Sequence, residues 1–161
     1  MNKAHTRIVC LGNRWMPGDD LGWRVHQRLA GRAGAVRAGA ARTSAVPAEA
    51  TDVELVDGGL AGLDLLSLVE ATTHRVVFVD ALEGFASPGL PVVLDRAEAA
   101  PPAPPAYGHD DGLAYLLAAL PLVADTPLPE VLIVGAEGPA DDDLVDIVAE
   151  LTWEVALHGR A

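Results

Sequence analysis

The stretch VCLGNRWMPGDDLGWRVHQRL, residues 9–29, contains the pattern that decides the fold. It begins within the apolar run RIVCL (Arg7–Leu11), which predicts a buried strand that ends at Gly12. Apolar residues then recur at positions 21, 25 and 29, a spacing that predicts an amphipathic helix over about residues 20–32. The chain therefore starts with a strand, a loop and a helix, and two adjacent aspartates, Asp19 and Asp20, lie in that loop.

Strand and helix patterns continue to alternate along the chain. Further strands are predicted at 53–56, 75–81 and 130–136, and helices over about 60–69, 112–120 and 141–157. The run PVVL at 91–94 follows a strand without room for a crossover helix, so we expect an antiparallel edge strand there. The prediction is an α/β fold with three α/β/α layers and a mostly parallel sheet of about five strands, one of them an antiparallel edge strand.

Length, composition and charge restrict the class of protein. The 161 residues fit a single domain spanning 1–161, and half of them are apolar, so the chain can bury a proper core. The formal net charge is -12, which repels a phosphate backbone and argues against nucleic acid as a partner.

Cysteine usage and hydropathy predict the cytoplasm. Cys10 is the only cysteine and lies inside an apolar run, so we expect a buried structural thiol. No apolar run reaches the roughly 18 residues of a membrane span, and the first ten residues do not resemble a signal peptide, so no membrane association is expected.

Candidate functional residues follow the ends of three predicted strands. In an open parallel sheet, working polar residues usually emerge just beyond the carboxyl ends of the strands. The candidates are Gly12 and Asn13 with Asp19 and Asp20 after the first strand, Asp57, Gly58 and Gly59 after the second, and Asp80 after the third.

His109 adds a possible nitrogen ligand for a metal to these candidate residues. An imidazole together with Asp19 or Asp20 and Asp80 gives two oxygen ligands and one nitrogen ligand, a mixture suited to borderline divalent metals such as nickel or zinc. The other four histidines are assigned to the surface. No dinucleotide or P-loop glycine motif is present, so nucleotide binding is a minor alternative, and water activated by an acid or a metal is the chemistry that these residues permit.

These residues resemble the hydrogenase maturation endopeptidases, cytoplasmic proteases that trim the C-terminus of a nickel-iron hydrogenase large subunit. The similarity runs from Ile8 to about Val155. The motifs that carry it, in chain order, are the G-N and acidic pair of the first loop, VELVDGG, VVFVDAL, the Pro88-Gly89 turn, HDDGLAYLLAAL and VLIVGAEGP.

The resemblance implies a metal-contacting catalytic trio of Asp19, Asp80 and His109. An ungapped alignment from Asn13 to Gly22 selects Asp19, whereas matching the acidic pair directly selects Asp20; we favour Asp19 and keep Asp20 as the alternative. Asp57 is expected to order its loop or to help position the peptide.

The resemblance also implies a substrate and a source for the metal. The substrate is the large-subunit precursor of a nickel-iron hydrogenase, and the nickel arrives with that precursor, so no permanent cofactor is expected. A non-proteolytic assembly module of the same fold is the alternative, since Leu60 replaces the Thr or Ser that often follows D-G-G in this family. A small-molecule or nucleotide-binding α/β protein is a third candidate. The particular hydrogenase and the oligomeric state stay open.

Overall fold

The computed structural model describes residues 4–37, 53–60, 62–100, 112–125 and 127–160. Strands and helices alternate over most of this length. In chain order the elements are β1 (Ala4–Leu11), α1 (Leu21–Arg37), β2 (Val53–Gly59), a 3-10 turn (Leu63–Leu65), α2 (Leu66–Glu70), β3 (Thr72–Ala81), β4 (Pro91–Asp95), α3 (Arg96–Ala99), α4 (Gly112–Val123), β5 (Glu130–Ala136) and α5 (Asp142–His158).

The strands form one five-stranded sheet in the order β2-β1-β3-β5-β4. Every neighbouring pair is parallel except β4 and β5, so β4 is an antiparallel edge strand. Pro91, which has no N–H to donate, is the first residue of that edge strand. The predicted α/β architecture and its antiparallel edge strand are confirmed.

The two faces of the sheet carry separate apolar clusters. Alternation along β1 and β3 directs Cys10 and Val79 into one cluster, with residues of α1 and α5, and Val9 and Phe78 into the other, with residues of α2 and α4. Both faces are therefore covered, which explains why the central run of β3 at residues 76–79, VVFV, is apolar on both sides. The buried thiol predicted for Cys10 is confirmed.

Helices α1 and α5 lie side by side on the first of these faces. The apolar stripe of α1 at Leu21, Val25 and Leu29 is buried, as its spacing predicts. Arginines of α1 form ion pairs with acids of α5 four residues apart along each helix: Arg24 with Asp142, Arg28 with Asp146 and Arg32 with Glu150.

Some element boundaries differ from the predictions. Helix α1 continues to Arg37, past Gly31 and Gly34, although glycine lowers helix propensity. The D-G-G run lies within β2, and the apolar helix predicted over 60–69 is only the 3-10 turn and short α2, with Leu60 exposed before them.

A short helix, α3, escaped the sequence analysis. Its N-cap Asp95 and its Glu98 form a reciprocal capping box, a pattern that the letters DRAE at 95–98 carry. The proline-rich run at 101–105, whose composition predicts an exposed loop, lies outside the described residues. The division of the chain into one domain stays a prediction.

Candidate active site

Strands β1, β2 and β3 are neighbours, and their carboxyl ends lie at one edge of the sheet. We call this the carboxyl edge. All candidate residues named from the sequence within the described ranges lie on the strand ends and loops of this edge. Loops that converge there form the usual crevice of an open parallel α/β sheet.

The first loop (residues 12–20) folds back on itself through Asn13 and Asp19. The N–H of Asn13 donates to the carbonyl of Asp19 at 2.9 Å and to its carboxylate Oδ2 at 3.2 Å. The N–H of Asp19 donates to Met16 O at 3.0 Å, and Trp15 N–H donates to Asn13 Oδ1 at 3.0 Å. This network fixes a partly buried Asp19 at the end of the loop.

Two glycines make the close packing of the first loop possible. Gly12 has φ 127°, and a Cβ there would lie 2.3 Å from the carbonyl oxygen of Asp19. At Gly22, in the first turn of α1, a Cβ would lie 1.8 Å from Leu11 O. Only residues without a side chain allow the return of the loop and the start of α1 to approach the end of β1 this closely.

Asp80 lies near the end of β3 and is partly buried. Its pKa is raised from 3.8 to about 7, first by burial of the carboxyl group and second by the negative charge of Asp19, against a lowering by the Ala81 N–H that donates to its Oδ1 at 2.9 Å. Asp19 and Asp80 are therefore close enough to repel each other. Among the described residues, neither carboxylate has an ion-pair partner.

Asp20 lies at the start of α1, unlike its neighbour Asp19, which is hydrogen-bonded within the first loop. It directly precedes α1, and its carbonyl accepts the Arg24 N–H at 3.0 Å, so it is the N-cap residue of that helix. The charge that raises the pKa of Asp80 is that of Asp19. The geometry thus brings Asp19 into electrostatic contact with Asp80, while the assignment of either acid as a metal ligand stays a prediction.

Asp57 lies on the opposite face of the sheet from Asp80. Its register partner is Cys10, and the pKa of that thiol is raised first by burial and second by the charge of Asp57. The Asp57 carboxylate accepts the Gly59 N–H at 3.1 Å, and the Gly59 carbonyl accepts the Gly12 N–H at 2.9 Å. A Cβ at Gly58 would lie 2.7 Å from Leu11 Cδ2. The D-G-G segment thus supports the start of the first loop.

His109 lies outside the described residues, so the predicted trio stays a prediction. Within the described part of the chain, no three His, Cys, Asp or Glu side chains are arranged to hold a metal ion. Of the histidines assigned to the surface, His5, His74 and His158 are exposed and His26 is partly buried.

Sequence reasoning missed one acid of this region, Glu137. Its carboxylate accepts the N–H of Phe85 at 3.1 Å and of Ala86 at 3.2 Å, and its carbonyl accepts the Gly89 N–H at 3.1 Å. Glu137 thereby holds the loop that follows β3 (residues 82–90). Its only signal in the sequence is an acid directly after the last strand.

Comparison with known proteins identifies the family. The profile described as HycI, hydrogenase maturation protease, matches residues 41–159, most of the chain. The chain belongs to the hydrogenase maturation protease family. It is therefore an endopeptidase, as the resemblance of its motifs predicts. The matched range includes the strands that carry Asp57 and Asp80 and begins after the first loop.

Solved structures of hydrogenase maturation proteases share the fold. The HybD endopeptidase of Escherichia coli is 21% identical with a TM-score of 0.61, and the match covers 96% of this chain and 88% of that one. A hydrogenase 3 maturation protease is 20% identical with a TM-score of 0.62, covering 98% and 92%. HycI from Thermococcus kodakarensis is 17% identical with a TM-score of 0.56, covering 96% and 91%.

These structural matches show that the fold of this maturation protease is shared over nearly its full length. No curated protein sequence matches it. None of the matches supports the alternative of a non-proteolytic assembly module. Within the described helices, none is long and apolar enough to cross a bilayer.

Proposed function

We propose that this endopeptidase removes a C-terminal peptide from the nickel-loaded large-subunit precursor of a nickel-iron hydrogenase. Family membership supports the hydrolytic activity and the class of substrate. The single observation that supports a role for nickel is the pair of acids at the carboxyl edge, Asp19 and Asp80, which repel each other and lack an ion-pair partner among the described residues.

Two carboxylates close enough to repel each other favour a cation nearby. Burial and mutual repulsion make the charged form of Asp80 costly in the free protein. A divalent cation reverses that cost, because its charge attracts both carboxylates. Nickel already bound by the substrate is such a cation, and its approach would convert an unfavourable pair of acids into a favourable contact.

His109 is proposed as the third contact to this nickel. It shortly precedes α4 in the chain, and α4 covers the same face of the sheet as Phe78, whose side chain points to the same face as Asp80. Imidazole nitrogen and carboxylate oxygen together suit a borderline metal such as nickel. Two carboxylates and one imidazole bind weakly until the substrate adds its own thiolates, so no permanent cofactor is required.

The proposed reaction is hydrolysis of a peptide bond next to the recognised nickel. One of the two carboxylates, Asp19 or Asp80, activates the attacking water, and the other holds the metal-bearing segment in place. Cleavage is then licensed only after the metal has been inserted. Asp57, with Gly58 and Gly59, acts indirectly by supporting the backbone at Gly12, where the first loop begins.

The proposed compartment is the cytoplasm. The buried Cys10, the only cysteine, leaves no intramolecular disulfide to form, which is compatible with a reducing compartment.

Mass spectrometry of the precursor tests this function. Nickel-loaded precursor and nickel-free precursor are each incubated with the protein and with buffer alone. We expect a shorter product only from the nickel-loaded precursor in the presence of the protein. An unchanged mass of the nickel-loaded precursor would contradict the proposal, and equal shortening of the nickel-free precursor would exclude nickel as the recognised feature.

A further inference from the structure

Large apolar side chains are exposed on the loops of the carboxyl edge. Trp15 and Met16 in the first loop are 79% and 55% exposed, and Phe85 and Leu90 in the loop after β3 are 41% and 57% exposed. Leu60, directly after β2, is 69% exposed. We call these five residues the apolar collar. Exposed apolar residues gathered in one region commonly mark a binding surface.

Backbone hydrogen bonds hold the collar in place. In the first loop, Asn13 accepts the N–H of Trp15 at 3.0 Å and of Met16 at 3.1 Å. In the loop after β3, Glu137 accepts the Phe85 N–H at 3.1 Å, and the Ser87 carbonyl accepts the Leu90 N–H at 3.2 Å. The exposed side chains thus stand on ordered backbone, which lowers the entropy cost of binding a partner.

The Trp15 ring is itself supported on one side. The guanidinium carbon of Arg14 lies 4.4 Å from the centroid of the indole ring, a cation–π arrangement. The contact limits the motion of the ring and leaves its other face open. Exposed tryptophans with a restrained orientation are typical anchors of protein interfaces.

The collar is continuous with the candidate active site. Trp15 and Met16 belong to the same loop as Asp19, and Met16 O accepts the Asp19 N–H at 3.0 Å. Phe85 and Leu90 belong to the loop that leaves β3 just after Asp80. The loops that carry most of the collar are therefore the same loops that flank the two acids.

We propose that the apolar collar docks an apolar segment of the protein substrate that adjoins the scissile bond. The inference rests on the proposed function, because it assigns the collar to the same substrate. A second copy of this chain is a poorer occupant, since two chains of charge -12 repel each other and a copy seated on the collar would block Asp19 and Asp80. A substrate segment can make apolar contacts with the collar while its scissile bond lies beside Asp19 and Asp80.

Steady-state processing of nickel-loaded precursor measures the contribution of the collar. Trp15→Ser and Phe85→Ser are compared with Leu122→Ser in α4 and Ile147→Ser in α5, two exposed apolar residues outside the collar with exposed fractions of 85% and 52%. We expect each collar variant to raise KM at least about tenfold, the scale of a lost interface anchor, with kcat nearly unchanged. The two control variants should keep both constants.

Binding measured in an Asp80→Asn background separates this inference from the proposed function. The dissociation constant for the precursor should rise about tenfold in the collar variants and stay constant in the controls. If wild-type protein binds but never shortens the precursor, and the collar variants bind less tightly, the function fails while the collar is supported. If wild-type protein processes the precursor and the collar variants match the controls, the collar is excluded. If a collar variant changes the sedimentation coefficient of the substrate-free enzyme but neither KM nor the dissociation constant for the precursor, the collar is a self-association surface and the proposal is overturned.

Discussion

Arg7 and Arg75 lie in the amino-terminal halves of β1 and β3, whereas Asp19 and Asp80 lie at the carboxyl edge, so one sheet offers two environments for charge. Arg7, 2% exposed, pairs with Glu54 at 2.8 Å and donates to Leu68 O at 2.8 Å. Arg75, 7% exposed, is bound in the same manner, by the Glu130 carboxylate and the Ala156 carbonyl. Each buried cation is thus paired with a carboxylate and also donates to a backbone carbonyl.

The carboxyl edge shows the opposite arrangement. Asp19 and Asp80 repel each other whenever both are ionised, and the described residues form no ion pair that would compensate them. A buried charge that serves only the fold is normally paired, and perturbed groups of like charge cluster at functional sites. The difference indicates that the arginines stabilise the sheet and that the acids are held ready for a cation from outside.

Removing the proposed catalytic side chains should have the largest effect on the processing rate. Asp80→Ala and His109→Ala are each expected to reduce the processing rate of nickel-loaded precursor by about 10²–10⁴-fold, the usual loss for an acid–base or metal-contacting group. Cooperative thermal melting should persist, because residues of a crevice contribute little core packing. Normal processing by either variant would remove that residue from the site.

Substitution of the two neighbouring acids of the first loop should have very different effects on the processing rate. Asp19→Asn should lower the processing rate at least about 100-fold, because Asp19 is the acid that interacts with Asp80. Asp20→Asn should lower it less than about tenfold, since Asn also serves as an N-cap. The same precursor assay measures both variants, and a reversed order of effects would select Asp20 as the working acid.

Removing a buried arginine from the amino-terminal half of a strand should lower the stability of the protein and leave its processing activity unchanged. Arg75→Met leaves Glu130 and the Ala156 carbonyl without their cation, so we expect the free energy of unfolding to fall by about 3 kcal/mol. Urea denaturation measures this change, with Arg7→Met as a matched variant on the other face of the sheet. Processing per folded molecule should be unchanged, and a loss of kcat in well-folded Arg75→Met protein would contradict the division of roles.

Replacing Asp80 by Asn should stabilise the free protein relative to wild type, and this gain in the free energy of unfolding should grow as the pH rises. The pKa of folded Asp80 is raised to about 7, so between about pH 4 and pH 7 the unfolded chain ionises this group while the folded protein retains its proton, and stability falls. Asp80→Asn removes that penalty. We expect the free energy of unfolding of the variant to exceed that of wild type by up to about 4 kcal/mol at pH 8 and to approach it near pH 4 in parallel urea titrations. Lower stability of Asp80→Asn at pH 8 would show that the carboxylate is compensated.

Periodicity predicted the strands and the buried faces well, because burial of side chains decides both. The run at Glu130–Ala136 is a strand with the predicted bounds, and the stripe at Leu21, Val25 and Leu29 is buried. The end of α1 at Arg37 was not predictable from the sequence, because Gly31 and Gly34 are typical of a helix end and the helix runs through both.

The site was predictable as a set of strand ends, but its internal geometry was not. Which of two adjacent aspartates approaches Asp80 depends on the hydrogen bonds between Asn13 and Asp19 that turn the first loop. The face on which Asp57 lies depends on its register with Cys10, and a one-residue slip would reverse it. Such features arise from the folded backbone and leave little trace in residue spacing.

The X-ray absorption spectrum of the substrate's nickel tests the central claim most directly. Nickel-loaded precursor is frozen alone, and also immediately after mixing with wild-type protein or with the Asp19→Asn or Asp80→Asn variant. The account predicts that wild-type protein adds oxygen or nitrogen neighbours to the nickel and that each variant adds fewer. A nickel coordination shell that is the same alone and in the wild-type mixture, while the precursor is still shortened, would contradict it.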